Sequence, residues 1–333
     1  MSEGSEGFPP GTEPGHSVPA PTPSKSKRPA SISFMPDTLP EGRSTVSYVG
    51  RAGASGPLFA RACENRGVGT KLDDLHSLIT DFDGVVVAFS GGIDSALVAA
   101  VSARSLGARA LAVTAVSPSL APGELDEARR VASEVGIRHR AVETNEVAKE
   151  EYLANGTDRC YHCKTELYDV LHDIALEESL PVVASGTNVD DLGDYRPGLE
   201  AAWNARVRHP LVEAGFTKSD VRDAATSLGI SISDKPASAC LSSRIAFGAR
   251  ISVDELTRVG RAERVLKDLG FRQVRVRVHG DIARVEVEAS EVPRLMEPIA
   301  REAVARQLKS LGFAFVTMDL EGFRSGSMNP KAT

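Results

Sequence analysis

The chain has 333 residues, 41% hydrophobic and 25% charged, with a formal net charge of −6 and a pI near 5.7. That length fits two domains, or one large domain with added disordered sequence, and no apolar run approaches the roughly 18 residues of a membrane span. The acidic balance argues against a protein that coats nucleic acid by charge, and the N-terminus lacks the apolar core of a secretory signal, so the expected compartment is the cytoplasm.

Residues 1–45 hold nine of the 19 prolines, among Gly, Ser and Glu. So little apolar content cannot offset the entropy of ordering, and the segment reads as a disordered tail. Residues 46–70 form a lead-in without clear pattern, in which Cys63 stands alone. Leu72, Leu75, Leu78, Ile79 and Phe82 then repeat at helical spacing. Beyond them, strands at 85–89, 110–116, 137–142 and 181–185 alternate with helices at 94–106, 124–135 and 164–179. Apolar strands alternating with amphipathic helices predict an α/β fold over residues 71–250, a parallel sheet with helices on both faces. Ligands of such sheets sit at the carboxyl ends of the strands. From residue 251 the pattern changes to a helix (253–269), alternating strands (273–278, 282–287), a helix (291–311) and a last strand (313–318). This predicts a small α+β domain over residues 251–328.

The hexapeptide Ser90-Gly91-Gly92-Ile93-Asp94-Ser95 lies between a buried strand and a helix. Two glycines let the backbone bend and approach an anion, and the helix N-terminus supplies free N–H groups and a positive dipole end. It has neither the lysine of a Walker A loop nor the spacing of a dinucleotide fingerprint. After the fourth strand come Gly186, Thr187 and Asn188, candidate nucleotide contacts, and then Asp190, Asp191 and Asp194. These carboxylates suit either a solvated turn or Mg²⁺, which takes one or two carboxylates plus phosphate oxygens. Between residues 241 and 280, nine Lys or Arg stand against four acids. The excess suits a phosphorylated small substrate or a solvated face, and Arg275 and Arg277 alternate with valines and so share one face of their strand.

Cys160 and Cys163 form a C-x-x-C at a helix entrance, and Cys240 follows in a Ser-rich segment. Cysteines of a cytosolic chain are more often ligands or nucleophiles than disulfides, and nearby Arg159, Lys164 and Arg244 would favour thiolates. Half a zinc site, a redox pair and packed thiols are all open, as is a 4Fe-4S cluster held by three cysteines with its fourth iron exposed.

The hexapeptide resembles the pyrophosphate loop of the PP-loop ATPase superfamily. SGGIDS (90–95), SGTNVDDLGDYRPG (185–198), KPASACLSSR (235–244), RVRVHG (275–280) and DLEGFRSGSM (319–328), in this order, resemble the LarE-type ATP-dependent sulfur transferases over roughly residues 70–328. The resemblance implies that ATP adenylates a carboxylate of a pyridinium biscarboxylate mononucleotide, with Ser90, Gly91, Gly92, Asp94 and Ser95 holding the departing pyrophosphate. The cysteine matching Cys240 then attacks the acyl adenylate, and a thiocarboxylate is released on the route to a nickel-pincer cofactor. It further implies that Arg275 and Arg277 bind the substrate phosphate and that the protein is a homo-oligomer. Where Cys240 acts alone it becomes dehydroalanine; with Cys160 and Cys163 present, the chain resembles the variant in which a 4Fe-4S cluster carries the sulfide. A PP-loop tRNA thiolase with a similar cluster and a non-catalytic ATP sensor are the alternatives.

Overall fold

The computed structural model describes residues 67–193, 197–231 and 239–324, which lie within one compact unit. The expected tail, nearly all of the lead-in with Cys63, Asp194, and residues 235–238 and 325–328 of two motifs lie outside the described residues.

Helix α1 (Val68–Thr80) leads into β1 (Val85–Ala88), α2 (Ile93–Leu106), β2 (Ala110–Val116), α3 (Glu124–Val135) and β3 (Arg138–Glu143). A short α4 (Glu150–Leu153) and a long α5 (Arg159–Glu177) precede β4 (Val182–Ser185), after which come α6 (Pro197–Asn204), α7 (Pro210–Glu213) and α8 (Lys218–Ser227). The four strands pair in parallel in the order β3-β2-β1-β4, with Val85 opposite both Ala110 and Val182. Successive strand residues point to opposite faces, and both faces are covered. Val85, Val87, Ala110 and Ala112 pack with Leu97, Val98, Val131 and Val221 of α2, α3 and α8, while Val86, Leu111, Val113 and Val183 meet Tyr168, Leu171 and Ala202 of α5 and α6. This is the α/β architecture expected.

The small C-terminal domain comprises α9 (Val253–Asp268), β5 (Val274–His279), β6 (Ile282–Val287), α10 (Val292–Met296), α11 (Pro298–Ser310) and β7 (Phe315–Met318). β5 and β6 are antiparallel, β6 and β7 parallel. Val274, Val276, Val278, Val285 and Val287 pack with Leu256, Val259 and Leu266 of α9 and Leu308 of α11. The expected single helix over 291–311 is two, because Pro298 opens α11 and Glu297 before it is extended at φ −57°, ψ 139°. A proline has no N–H to donate and excludes the helical region for the preceding residue. The helix expected from 164 begins five residues earlier, at Arg159, and so contains both cysteines of the C-x-x-C. Among the described residues, no helix is long and apolar enough to cross a membrane.

Candidate active site

β1 runs directly into the phosphate loop. Gly91 has φ +69°, and a Cβ there would lie 2.9 Å from Ala128 Cα, so glycine lets the loop meet α3. Ser95 Oγ donates to the Gly92 carbonyl at 2.9 Å and accepts from the Ser90 N–H at 3.3 Å, while the Gly92 N–H donates to Ser90 Oγ at 3.3 Å. The loop is thus folded over the first turn of α2, whose N–H groups have no intrahelical acceptor. The end of β4 crosses beside it: a Cβ on Gly186 would stand 2.6 Å from Ser95 N. Asn188 Nδ2 donates to Asp94 Oδ1 at 3.0 Å, and Lys218 Nζ pairs with Asp94 Oδ2. Ser90, Gly91, Gly92, Asp94, Ser95, Gly186 and Asn188 therefore share one place. Thr187 Oγ1 lies 3.0 Å from Ser185 Oγ, which in turn meets His209 Nδ1 at 2.8 Å. Burial keeps His209 less basic than usual, against the pull of Glu213.

Lys218 was not among the sequence candidates. Its one sequence signal is the Thr217–Asp220 capping box, which makes it the first residue of α8. The carboxylates after β4 mostly hold their own turn. Asp191 Oδ2 accepts the Asn188 N–H at 3.0 Å, and Asp190 Oδ2 accepts the Lys218 N–H at 2.7 Å. Among the described residues, no three His, Cys, Asp or Glu gather as a metal ion would require.

The three cysteines lie near the small domain, with Cys163 packed against its core. Cys160 and Cys163, one turn apart in the first turn of α5, share a helix face. Cys240 opens a tight turn, Leu241–Arg244. Cys160 and Cys240 are exposed and Cys163 is half-buried. Burial pushes Cys163 up to about 12, with Lys164 opposing and Glu146, Cys240 and Cys160 adding to the rise. Burial works against the Lys164 ammonium, yet Tyr168, Cys163, Cys160 and Cys240 hold its pKa above the usual value. The other two cations expected to favour thiolates are engaged elsewhere. Arg159 donates to Asn155 Oδ1 at 2.5 Å and to the Ser242 carbonyl at 3.1 Å. Arg244, wholly buried, pairs through Nε and Nη2 with Glu263 at 2.7 and 3.1 Å, and its Nη1 donates to the carbonyls of Ala239 and Cys240 at 2.8 and 2.9 Å.

Arg275 and Arg277 do share a face of β5, but not a solvated one: they are 7% and 5% exposed. Arg277 donates to Glu286 at 3.0–3.1 Å and to the Ser243 carbonyl at 2.9 Å, which ties β5 to the Cys240 turn. Arg275 donates to the Val274 carbonyl at 2.7 Å and lies 5.1 Å from the Phe323 ring centroid. Burial, with the charge of Arg244, brings it down to about 10 despite Glu263. Sequence reasoning missed Glu286, although it faces Arg275 in the hairpin register and alternates with Arg284.

Residues 74–160 match the NAD synthase family. Over 260 residues the chain is 44% identical to the uncharacterized protein slr1717 of Synechocystis sp., covering 78% of this chain and 97% of that one. It is 40% identical over 265 residues to the pyridinium-3,5-bisthiocarboxylic acid mononucleotide synthase of Lactiplantibacillus plantarum, 79% of this chain and 95% of that one. The chain belongs to the LarE-type synthase family. This LarE-type likeness takes in about four fifths of the chain, whereas the NAD synthase match ends at Cys160. A tRNA-specific 2-thiouridylase MnmA of Azorhizobium caulinodans is 30% identical over 206 residues, about half of either chain.

Proposed function

We propose that this chain is an ATP-dependent sulfur transferase that converts a carboxylate of a pyridinium biscarboxylate mononucleotide to a thiocarboxylate for nickel-pincer cofactor synthesis. The observation that carries this reading is the likeness to the bisthiocarboxylic acid synthase over nearly that protein's whole length. Further support is that Ser90–Ser95 lie at the N-terminus of α2 and that Arg244 and Arg277 hold the turn that Cys240 opens.

In this reading ATP lays its phosphates against Ser90–Ser95 and the first turn of α2, beside Gly186, Thr187 and Asn188. Lys218, now on Asp94, is the mobile cation that turns to the pyrophosphate. The substrate carboxylate attacks the α-phosphorus and pyrophosphate leaves; N–H donors and the helix dipole stabilise the charge that develops on it. Mg²⁺ would be held chiefly by phosphate oxygens, with Asp190 and Asp194 as the carboxylates offered. Arg275 and Arg277 bind the substrate phosphate through planar guanidinium forks, Arg277 giving up part of its hold on Ser243. In the route that uses Cys240 itself, its sulfur attacks the acyl carbon and AMP leaves, and loss of the Cα proton with cleavage of the Cβ–S bond then frees the thiocarboxylate and leaves dehydroalanine.

In the alternative route, which we favour, Cys160, Cys163 and Cys240 would instead be the ligands of a 4Fe-4S cluster; the C-x-x-C on one face of α5 and the exposure of Cys160 and Cys240 support this, although among the described residues the three thiols are not gathered as a bound metal would hold them. Bound there, such a cluster supplies sulfide, so that the polypeptide is not consumed. Cys160→Ala and Cys163→Ala should each remove iron and activity together from anaerobically purified protein. Iron-free wild-type protein that transfers sulfur once and loses the mass of H₂S at Cys240 would assign the sulfur to Cys240 itself.

Ile282 and Phe315 lie opposite each other on β6 and β7 and are both exposed; they support docking of a second copy at this edge, which light scattering would measure. The cytoplasm is the proposed compartment, on the sequence grounds above. The deciding assay supplies ATP and the mononucleotide, and follows pyrophosphate and the thiocarboxylate mass. Pyrophosphate release that depends on tRNA instead would favour the thiolase alternative, and ATP binding without release the sensor.

A further inference from the structure

Beside the cysteine pocket, just past the carboxyl ends of β2 and β3, Glu146 is 2% exposed. Buried carboxylates are ordinarily paired with a cation. This one is satisfied by hydroxyls: Oε1 accepts from Ser117 Oγ at 2.5 Å and Ser119 Oγ at 2.9 Å, and Oε2 from Thr144 Oγ1 at 3.1 Å. Among the described residues, no basic side chain forms an ion pair with it. Ser117 and Thr144 directly follow β2 and β3, so one carboxylate joins the exits of two neighbouring strands. Ser119, held by the same oxygen, turns its carbonyl to the Leu241 N–H at 2.8 Å. Leu241 follows Cys240. On the other side of that turn, the buried Tyr152 hydroxyl meets Ser242 Oγ at 2.5 Å.

We propose that Glu146 is a positioning residue for Cys240, fixing the Ser117–Ser119 turn so that the Ser119 carbonyl holds the main chain next to the reacting sulfur. The inference rests on the reading of Cys240 as indispensable to sulfur transfer, whether as nucleophile or as cluster ligand. A hydroxyl cage suits the task because Oε1 alone restrains both ends of a three-residue turn. Among the described residues, no side-chain hydrogen bond joins Ser90–Ser95 to this cage, so its loss should act on sulfur transfer and leave the preceding step intact. The Glu146 charge also bears on Tyr152 and Cys163, which places it within electrostatic reach of the pocket.

The test uses the full chain with Glu146→Ala, Glu146→Gln and Ser119→Ala, and reads hydrogen exchange by mass spectrometry together with two rates, pyrophosphate release and thiocarboxylate formation. In Glu146→Ala, exchange over residues 239–246 should quicken by about tenfold or more while the α2 peptide is unchanged. Thiocarboxylate formed per pyrophosphate released should fall by about tenfold to a hundredfold, since small misplacements of a reacting group cost that much. Glu146→Gln keeps an acceptor oxygen for both serines and should recover most of the loss; Ser119→Ala should fall between, because its carbonyl stays. Unchanged exchange over 239–246 in Glu146→Ala would overturn the proposal, as would equal losses of both rates, which signal general destabilisation. Sulfur transfer by Cys240→Ser would instead defeat the nucleophile assignment, and the exchange comparison would still decide whether Glu146 holds the turn.

Discussion

In the four-stranded sheet, β1, β2 and β4 carry only apolar or hydroxyl side chains, and the chemistry-bearing groups collect just beyond them, at Ser90–Ser95 and Gly186–Asn188. In the three-stranded sheet, Arg275, Arg277 and Glu286 stand within the strands, nearly closed to water, and the sheet face itself bears them. The first arrangement needs only a strand, a turn and a helix in succession, because its donors are main-chain groups and a dipole. The second depends on side chains brought together from separate elements, Arg244 with Glu263, 19 residues on, and Arg277 with Glu286 across the hairpin and with Ser243, 34 residues back. Removing one member of such a set leaves the other charge buried and uncompensated, so it should be the more brittle of the two.

The strongest way to break this contrast is Glu263→Ala. It strands Arg244 and also takes the acceptor from the Val276 N–H, 3.1 Å from Glu263 Oε1. Urea unfolding should show a loss of about 3–5 kcal/mol, and Arg244→Met with Glu263→Leu should restore much of the stability while sulfur transfer stays impaired. Arg275→Ala should raise the substrate requirement by the equivalent of about 1.5–3 kcal/mol for a charge-assisted hydrogen bond, with ATP binding unchanged. A weakened ATP affinity there, measured by calorimetry, would move Arg275 to the other site. Gly186→Ala probes the parallel sheet: its methyl would press on Ser95 N, costing about 1–3 kcal/mol as overpacking and displacing the loop that takes the phosphates. ATP titration should show the affinity loss with the small domain's exchange pattern intact.

The smallest effect concerns α8, which carries Lys218. Against burial, which would raise it, Lys71 and Thr217 hold the Asp220 carboxyl below its usual range. A lowered carboxylate pKa stabilises the fold at neutral pH, and that stability is lost as pH falls through the folded-state value. Asp220→Asn should therefore unfold about 1 kcal/mol more easily at pH 7, the scale of a helix cap. The gap between variant and wild type should close in acid, as followed by thermal melts across pH.

The same contrast explains what could be read from the chain. Strands at 110–116 and 282–287 and the helix at 124–135 fall where periodicity puts them, because each is set by neighbours a few residues away. The phosphate loop was legible for the same reason. The break at Pro298 was legible in principle, since proline forbids the continuous helix that the apolar spacing suggests. Lys218, Glu146 and Glu263 were not, because an acidic or basic residue at a helical or strand position gives no sign of a partner 124, 29 or 19 residues away. Arg159 and Arg244 misled in the opposite direction: closeness in sequence to a cysteine suggested an electrostatic role, while their guanidinium groups serve carbonyls, an amide and Glu263.

The turn at Cys240 is gripped by its carbonyl oxygen, which accepts from the Ser243 N–H at 3.0 Å, Ser243 Oγ at 2.8 Å and Arg244 Nη1 at 2.9 Å. None of these bonds involves sulfur, so a change of side chain that keeps Cα tetrahedral leaves the grip in place. Cys240→Ser would then be a faithful decoy, able to capture and display the adenylated substrate without consuming it. In the route that consumes Cys240, the same carbonyl survives on the dehydroalanine, and a spent chain that kept this turn would compete with fresh copies for the substrate until it was cleared.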